Sequence, residues 1–191
     1  MIVARYLVPL ATVVVAAFGS YSFMRSAGPD YASADKPAQS SSSDIRAGSG
    51  DSLLRPEHFA KVLAKIRKDF GSEAKLVNFR IEASRADVQV PSGGKTNLLQ
   101  FNANGDQVSS IDTGTDISSN PNQASITEIF AGTPQRIMKK VAKRSGTSVD
   151  NLSYMVLSTF GEGKVGWYVS LETGEATTFY ARLDGSGVRA S

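Results

Sequence analysis

Hydrophobic and polar positions divide the chain into stretches of different character. From Tyr6 to Met24 the sequence reads YLVPLATVVVAAFGSYSFM, 19 residues without a charge, bounded by Arg5 and Arg25. At about 1.5 Å per residue a helix of that length reaches roughly 28 Å, close to the hydrocarbon thickness of a bilayer. The pattern predicts a transmembrane anchor or uncleaved signal over residues 1–25. The densest part, Leu7 to Phe18, also has the length of a secretion-signal core. Ala32-Ser33-Ala34 has the form of a cleavage site but lies far beyond Phe18. The expected location is a single-pass membrane protein with its C-terminal domain outside the cytoplasm, the alternative being secretion after signal cleavage.

Residues 26–51, SAGPDYASADKPAQSSSSDIRAGSGD, hold one tyrosine and one isoleucine among small and polar residues. So little apolar surface does not offset the entropy of ordering the segment, and a disordered linker is expected.

From Leu53 onward the pattern becomes periodic. Phe59, Val62, Leu63, Ile66 and Phe70 fall on one face of a helix, and Ile137, Met138 and Val141 make a similar stripe further on. Thr133 as N-cap, Pro134 in the first turn and Gly146 as a stop frame the second helix. Strand character follows each helix. Val77, Phe79 and Ile81 alternate with Asn78 and Arg80, which predicts one buried face, and Val88 and Val90 continue the pattern. Ser92-Gly93-Gly94-Lys95 and Glu172-Thr173-Gly174-Glu175 join strands, while Asn104-Gly105 and Asp184-Gly185 are hairpin signals.

These elements recur. Residues 56–108 and 134–188 each run from a proline through a basic helix, a glycine (Gly71, Gly146) and several strands. Val90 answers Ser170, Gly94 answers Gly174, Gly105 answers Gly185 and Val108 answers Val188, all 80 residues apart; Leu76 answers Leu152. The expected fold class is α+β: an N-terminal transmembrane helix, then two repeats of one helix packed on an antiparallel four-stranded meander. The repeats would span residues 52–112 and 125–191, with a polar connector at 113–124. Ser125-Ile126-Thr127-Glu128 fits a capping box at the end of that connector.

The segment VGWYVSLETGEATTFYARLDGSG, Val165 to Gly187, resembles the closing pattern of PepSY domains, an aromatic-rich strand, an acidic-Thr-Gly turn and another strand. With the helix-then-meander order, the chain is similar to the PepSY and beta-lactamase-inhibitor-protein-like group of extracytoplasmic domains over about 135 residues in two copies. The resemblance implies an envelope location and binding or inhibition of a partner protein, often a hydrolase. The chain lacks the disulfides of the secreted inhibitors, and no family site residue carries over.

Composition removes most enzyme chemistries. The 191 residues include no cysteine, which excludes a thiol nucleophile or a thiolate metal site, and His58 is the one histidine. No cofactor is expected. Glu57 beside His58 could form a histidine–carboxylate pair acting as a general base, but the first turn of a helix offers it no nucleophile. Glu82, Asp87, Glu162 and Glu172 read as polar strand and hairpin positions rather than facing acids of a cleft. Asp112, Thr113, Gly114, Asp116 and Asn120 have a calcium-binding composition without the spacing or final glutamate of an EF-hand. Gly93-Gly94-Lys95-Thr96 lacks the upstream glycine and following helix of a phosphate loop.

Two surfaces remain. Arg136, Lys139, Lys140, Lys143 and Arg144 place five cations on the second helix with no acid between them. Such a face is either plainly solvated or meets anionic lipid or polymer; the address disfavours nucleic acid. Trp167, Tyr168, Phe179 and Tyr180 lie on adjacent strands that send one ring to each side of the sheet, so Tyr168 and Tyr180 are candidates for an exposed aromatic patch. The sequence reads as a non-enzymatic binding module recognising an envelope protein partner. The alternatives are a small envelope hydrolase and a structural subunit of an envelope assembly.

Overall fold

In α1 (Pro56–Phe70) Phe59, Val62, Leu63 and Ile66 are buried, and in α2 (Thr133–Ser145) so are Ile137, Met138 and Val141. Both stripes face the same layer of strands. The computed structural model describes residues 45–160, 163–174 and 176–191. The strands are β1 (Lys75–Ile81), β2 (Arg85–Ser92), β3 (Lys95–Asn102), β4 (Gln107–Asp112), β5 (Ala124–Ser125), β6 (Leu152–Phe160), β7 (Lys164–Leu171), β8 (Thr178–Arg182) and β9 (Arg189–Ala190). They form one antiparallel sheet in the order β4-β3-β2-β1-β6-β7-β8-β9, with β5 paired to the start of β1.

This architecture corrects the expected fold class. The strands do not close into two separate helix-plus-meander units; a nine-stranded sheet runs through both. The join is β1 against β6, with Arg80 opposite Val156 and Ile81 opposite Met155. Left apart, each unit would expose a strand edge of unpaired backbone donors and acceptors; joining them pairs part of each. The core is shared as well. Phe59 of α1 stacks on Phe79 of β1 with ring centroids 5.7 Å apart, and Phe79 meets Trp167 of β7 at 5.8 Å. Trp167 is fully buried and its Nε1 donates to the Leu183 carbonyl at 3.1 Å.

Among the described residues no helix is long and apolar enough to cross a membrane. The transmembrane or signal reading of residues 6–24 and the linker reading of 26–44 lie outside the described residues. The packed chain reaches back before Leu53. Ala47 and Ser52 are buried, and Gly48 donates its backbone N–H to Asp150 Oδ1 at 2.9 Å.

One local departure breaks the expected alternation. Val77 pairs with Gln89 and Arg80 with Asp87, so three steps along β1 match two along β2, and Asn78 takes a φ of 49°. This bulge breaks the alternation expected for Val77, Phe79 and Ile81. Phe79 and Ile81 enter the core, whereas Val77, equally buried, lies outside it on the Gln89 side. Arg80, between Phe79 and Ile81, keeps the alternation and lies on the sheet side facing away from the helices.

Candidate functional site

Because side chains alternate along strands, the register defines what the second side of the sheet presents. One row crosses eight strands: Ser109, Gln100, Asp87, Arg80, Val156, Tyr168, Tyr180 and Arg189, each directly opposite the next. None of these is fully buried, while their neighbours Leu99, Val88, Ile81, Met155, Val169 and Phe179 are.

Rings crowd the part over β6 to β8. Tyr154 and Tyr168 have centroids 6.2 Å apart, Tyr168 and Tyr180 5.7 Å apart, and Phe160 meets Tyr180 edge-on at 4.4 Å. The Arg80 guanidinium lies 4.0 Å above the Tyr154 ring, a cation–π contact. Burial, and then the neighbouring phenols of Tyr154 and Tyr180, push the Tyr168 hydroxyl above its ordinary pKa. Phe160 can lie against the sheet because the position beside it is glycine. A methyl on Gly166 would sit 2.6 Å from the Phe160 ring and 2.4 Å from the Ala181 carbonyl oxygen.

Polar groups continue the surface toward β3. Arg80 Nε pairs with Glu82 Oε1 at 2.7 Å, Arg85 reaches Glu82 at 3.4 Å and Asp87 at 3.7 Å, and Gln100 donates to Asp87 at 3.1 Å. At the other end Phe160, Tyr180, Arg182 and Arg189 line a cleft of about 470 Å³. The aromatic surface thus lies between a paired, charge-balanced flank and a basic one.

Of the four aromatic candidates from the sequence, Trp167 and Phe179 are in the core, and Tyr168 and Tyr180 are half-buried on the bare side. Sequence reasoning missed Tyr154, Phe160 and Arg80. The period-2 run Tyr154, Val156, Ser158, Phe160 against Met155 and Leu157 was the available signal for the first two. Arg80 depended on the long-range pairing of β1 with β6.

The basic candidates Arg136, Lys139, Lys140, Lys143 and Arg144 are all exposed on α2, on the opposite side of the molecule from the rings. Arg136 donates to the Asp184 carbonyl at 2.9 Å and Lys140 to the Gly185 carbonyl at 3.2 Å, holding the β8–β9 turn against the helix.

The chemistry candidates are dispersed. His58 Nδ1 is 3.0 Å from the Ser52 carbonyl oxygen, a structural contact at the start of α1. Glu82 and Asp87 belong to the ion-pair network, Glu172 is exposed in a turn, and Glu162 lies outside the described residues. At the end of β4 Asp112 binds Lys95 at 2.8 Å, and Asp112, like Asp116 and Asn120 of the connector, accepts from a backbone N–H two residues on. No group of three metal-ligating side chains occurs among the described residues.

Fold and surface together define an antiparallel sheet covered by helices on one side, with an aromatic second side that no described helix covers. A solved structure from Clostridium difficile 630 bearing the name "putative lipoprotein" is similar, with a TM-score of 0.55 at 10% identity, covering 73% of this chain and 97% of that one. At that identity the likeness is one of fold. No protein-family model and no curated protein matches the chain.

Proposed function

We propose that this chain is an extracytoplasmic, membrane-tethered binding module that recognises an envelope protein with the bare side of its sheet and performs no catalysis. The observation that carries the reading is the contiguous set Tyr154, Tyr168, Tyr180 and Phe160, half-buried on a sheet side that no described helix covers, with Arg80 on one flank and Arg189 on the other. Tyrosine and arginine offer large contact area together with a polar tip, and both are enriched where interface energy concentrates. From Asp87 to Arg189 the row crosses six strands, about 24 Å at the usual strand spacing. A standard interface covers about 800 Å² per partner, so a surface of this width accommodates its central part.

The uncharged run from Tyr6 to Met24 supports the tether, as do the PepSY resemblance of Val165–Gly187 and the fold likeness to a protein whose name includes "lipoprotein". A tether concentrates a binding module near envelope partners without adding any contact.

The test places a photo-crosslinking residue at Thr178, on the ring side of β8, or at Lys61, on the solvent side of α1, in full-length protein in native membranes. A specific adduct is expected from Thr178 alone, and it should disappear in Tyr168→Ala/Tyr180→Ala protein that keeps its circular dichroism. Equal adducts from Lys61, or an adduct indifferent to the two alanines, would refute the proposal.

A further inference from the structure

The helices differ in how their cations are used. On α1, Lys65 pairs with Asp69 at 2.6 Å, Lys61 lies 3.9 Å from Asp106, and Arg67 donates to the Ile126 carbonyl at 3.2 Å. On α2 none of the five cations forms an ion pair with a described carboxylate, and the helix has no acid of its own. Arg136 and Lys140 are occupied by the backbone of the β8–β9 turn. Lys139, Lys143 and Arg144 remain exposed. Lys143 and Arg144 border a shallow cleft with Gly187 and Val188, and Gly187 also borders the cleft that Arg182 and Arg189 line. Neither of those arginines is ion-paired to a described carboxylate, so the basic surface continues from α2 around the β9 edge.

The point where the described chain begins gives this surface a direction. Gly48 is held by Asp150, and a methyl on it would sit 2.8 Å from Val149 Cγ2. Val149 and Asp150 lie just past the C-terminal end of α2, within six residues of Arg144. The first described residues therefore lie near the C-terminal end of α2, the end that carries Lys143 and Arg144. The 20 residues from 25 to 44 can reach at most about 70 Å, so a membrane holding the apolar run Tyr6–Met24 stays within reach of α2.

We propose that the α2 face, through Lys139, Lys143 and Arg144, docks the domain on anionic phospholipid headgroups of the membrane that the N-terminal run enters. The orientation rests on the tethered reading above. Each cation near an anionic surface contributes about fivefold in partitioning, so removal of three reduces docking by roughly a hundredfold, and salt screens it. Docked this way, the helix layer faces the lipid and the ring-bearing side of the sheet faces outward.

Trp167, the chain's one tryptophan, supplies the probe from within the core. Full-length protein is reconstituted with vesicles of phosphatidylcholine, or of phosphatidylcholine with about one third phosphatidylglycerol, carrying equal dansyl-headgroup lipid. Energy transfer from Trp167 is expected to rise about twofold or more with phosphatidylglycerol and to fall back in high salt. In Lys139→Gln/Lys143→Gln/Arg144→Gln protein it should stay at the neutral-lipid level. Equal transfer for wild type and variant on anionic vesicles would overturn the docking.

Flotation separates the two readings. Protein that floats on neutral vesicles without lipid-dependent transfer keeps the tether and refutes the docking. Protein that floats only on anionic vesicles, and loses this in the variant, keeps the docking and refutes the tether. Variant-sensitive binding of soluble polyphosphate without vesicle-dependent transfer would assign the face to an anionic polymer and overturn the proposal.

Discussion

Two glycines 80 residues apart provide a quantitative test of how the helices sit on the sheet. Gly105 has φ 80° and Gly185 has φ 78°, so alanine at either position meets the same left-handed strain, about 1–2 kcal/mol. The surroundings differ. A methyl at Gly105 would lie 2.2 Å from the His58 carbonyl oxygen and 3.2 Å from Lys61 Cβ, at the start of α1. At Gly185 the nearest atom is the Thr133 carbonyl oxygen at 3.2 Å, a contact that shifts of a few tenths of an ångström relieve. At Gly105 the hairpin and helix backbones must part by about 1 Å, and displacements of packed elements cost about 1–3 kcal/mol. Gly105→Ala is therefore expected to cost about 3 kcal/mol and Gly185→Ala about 1 kcal/mol. The difference, about 2 kcal/mol, corresponds to roughly 4–8 °C in Tm for a domain of this size. Thermal unfolding followed by circular dichroism measures it. Equal shifts would mean that the approach of the β3–β4 turn to α1 is not rigid, and the reasoning from backbone clash would be wrong.

Trp167→Phe removes the hydrogen bond to the Leu183 carbonyl and leaves unfilled volume beside Phe79; a loss of about 2–3 kcal/mol is expected from urea unfolding, and a loss under 0.5 kcal/mol would contradict it. For Tyr168 the neutral phenol is the form the fold favours, so its contribution is complete below the ordinary pKa of 10.0 and is lost as pH rises through the higher folded value. Phenolate absorbance should show a late-ionising tyrosine that Tyr168→Phe removes; an unchanged difference curve would exclude it. The backbone N–H of Ser186 holds the Asp184 carboxyl below 3.8, so its contribution is present above that pH and is lost as pH falls through the lower folded value. The urea midpoints of wild type and Asp184→Asn should therefore converge on acidification, and a gap that widens toward low pH would reverse the assignment.

The helices were legible because their burial is local. Phe59, Val62, Leu63 and Ile66 declare one face within three turns, and the structure buries all four. Ser92–Lys95 and the turn at Asn104-Gly105 were legible for the same reason, since turn chemistry is contained in four residues. The merger into one sheet was not. β1 and β6 are joined at two register positions about 75 residues apart in sequence, and alternation within each strand is the same whether or not they pair. The bulge at Asn78 escaped because Val77, Phe79 and Ile81 alternate faultlessly as letters; only the register with β2 shows that Val77 leaves the core side. Arg80 was absent from the aromatic surface as read from sequence because only the β1–β6 pairing brings it beside Tyr154. Tyr168 and Tyr180 could be separated from Trp167 and Phe179 by parity, but parity could not say which ring of each pair is outside.

The junction of β1 with β6 has a consequence for the order in which the chain folds. The β2–β3 and β6–β7 hairpins close over a few residues, whereas the central junction must wait until Met155 and Val156 have been made. At about 5–20 residues per second, synthesis of the intervening stretch leaves that edge of β1 unpaired for roughly 4–15 s. An open strand edge is a template for wrong partners, and this one carries two defences, the kink at Asn78 and the charge of Arg80. β5 closes the other end sooner, since Ala124 and Ser125 precede β6 by more than 25 residues. Replacing Asn78 and Arg80 with flat, apolar strand formers would thus be felt first as aggregation of the nascent chain.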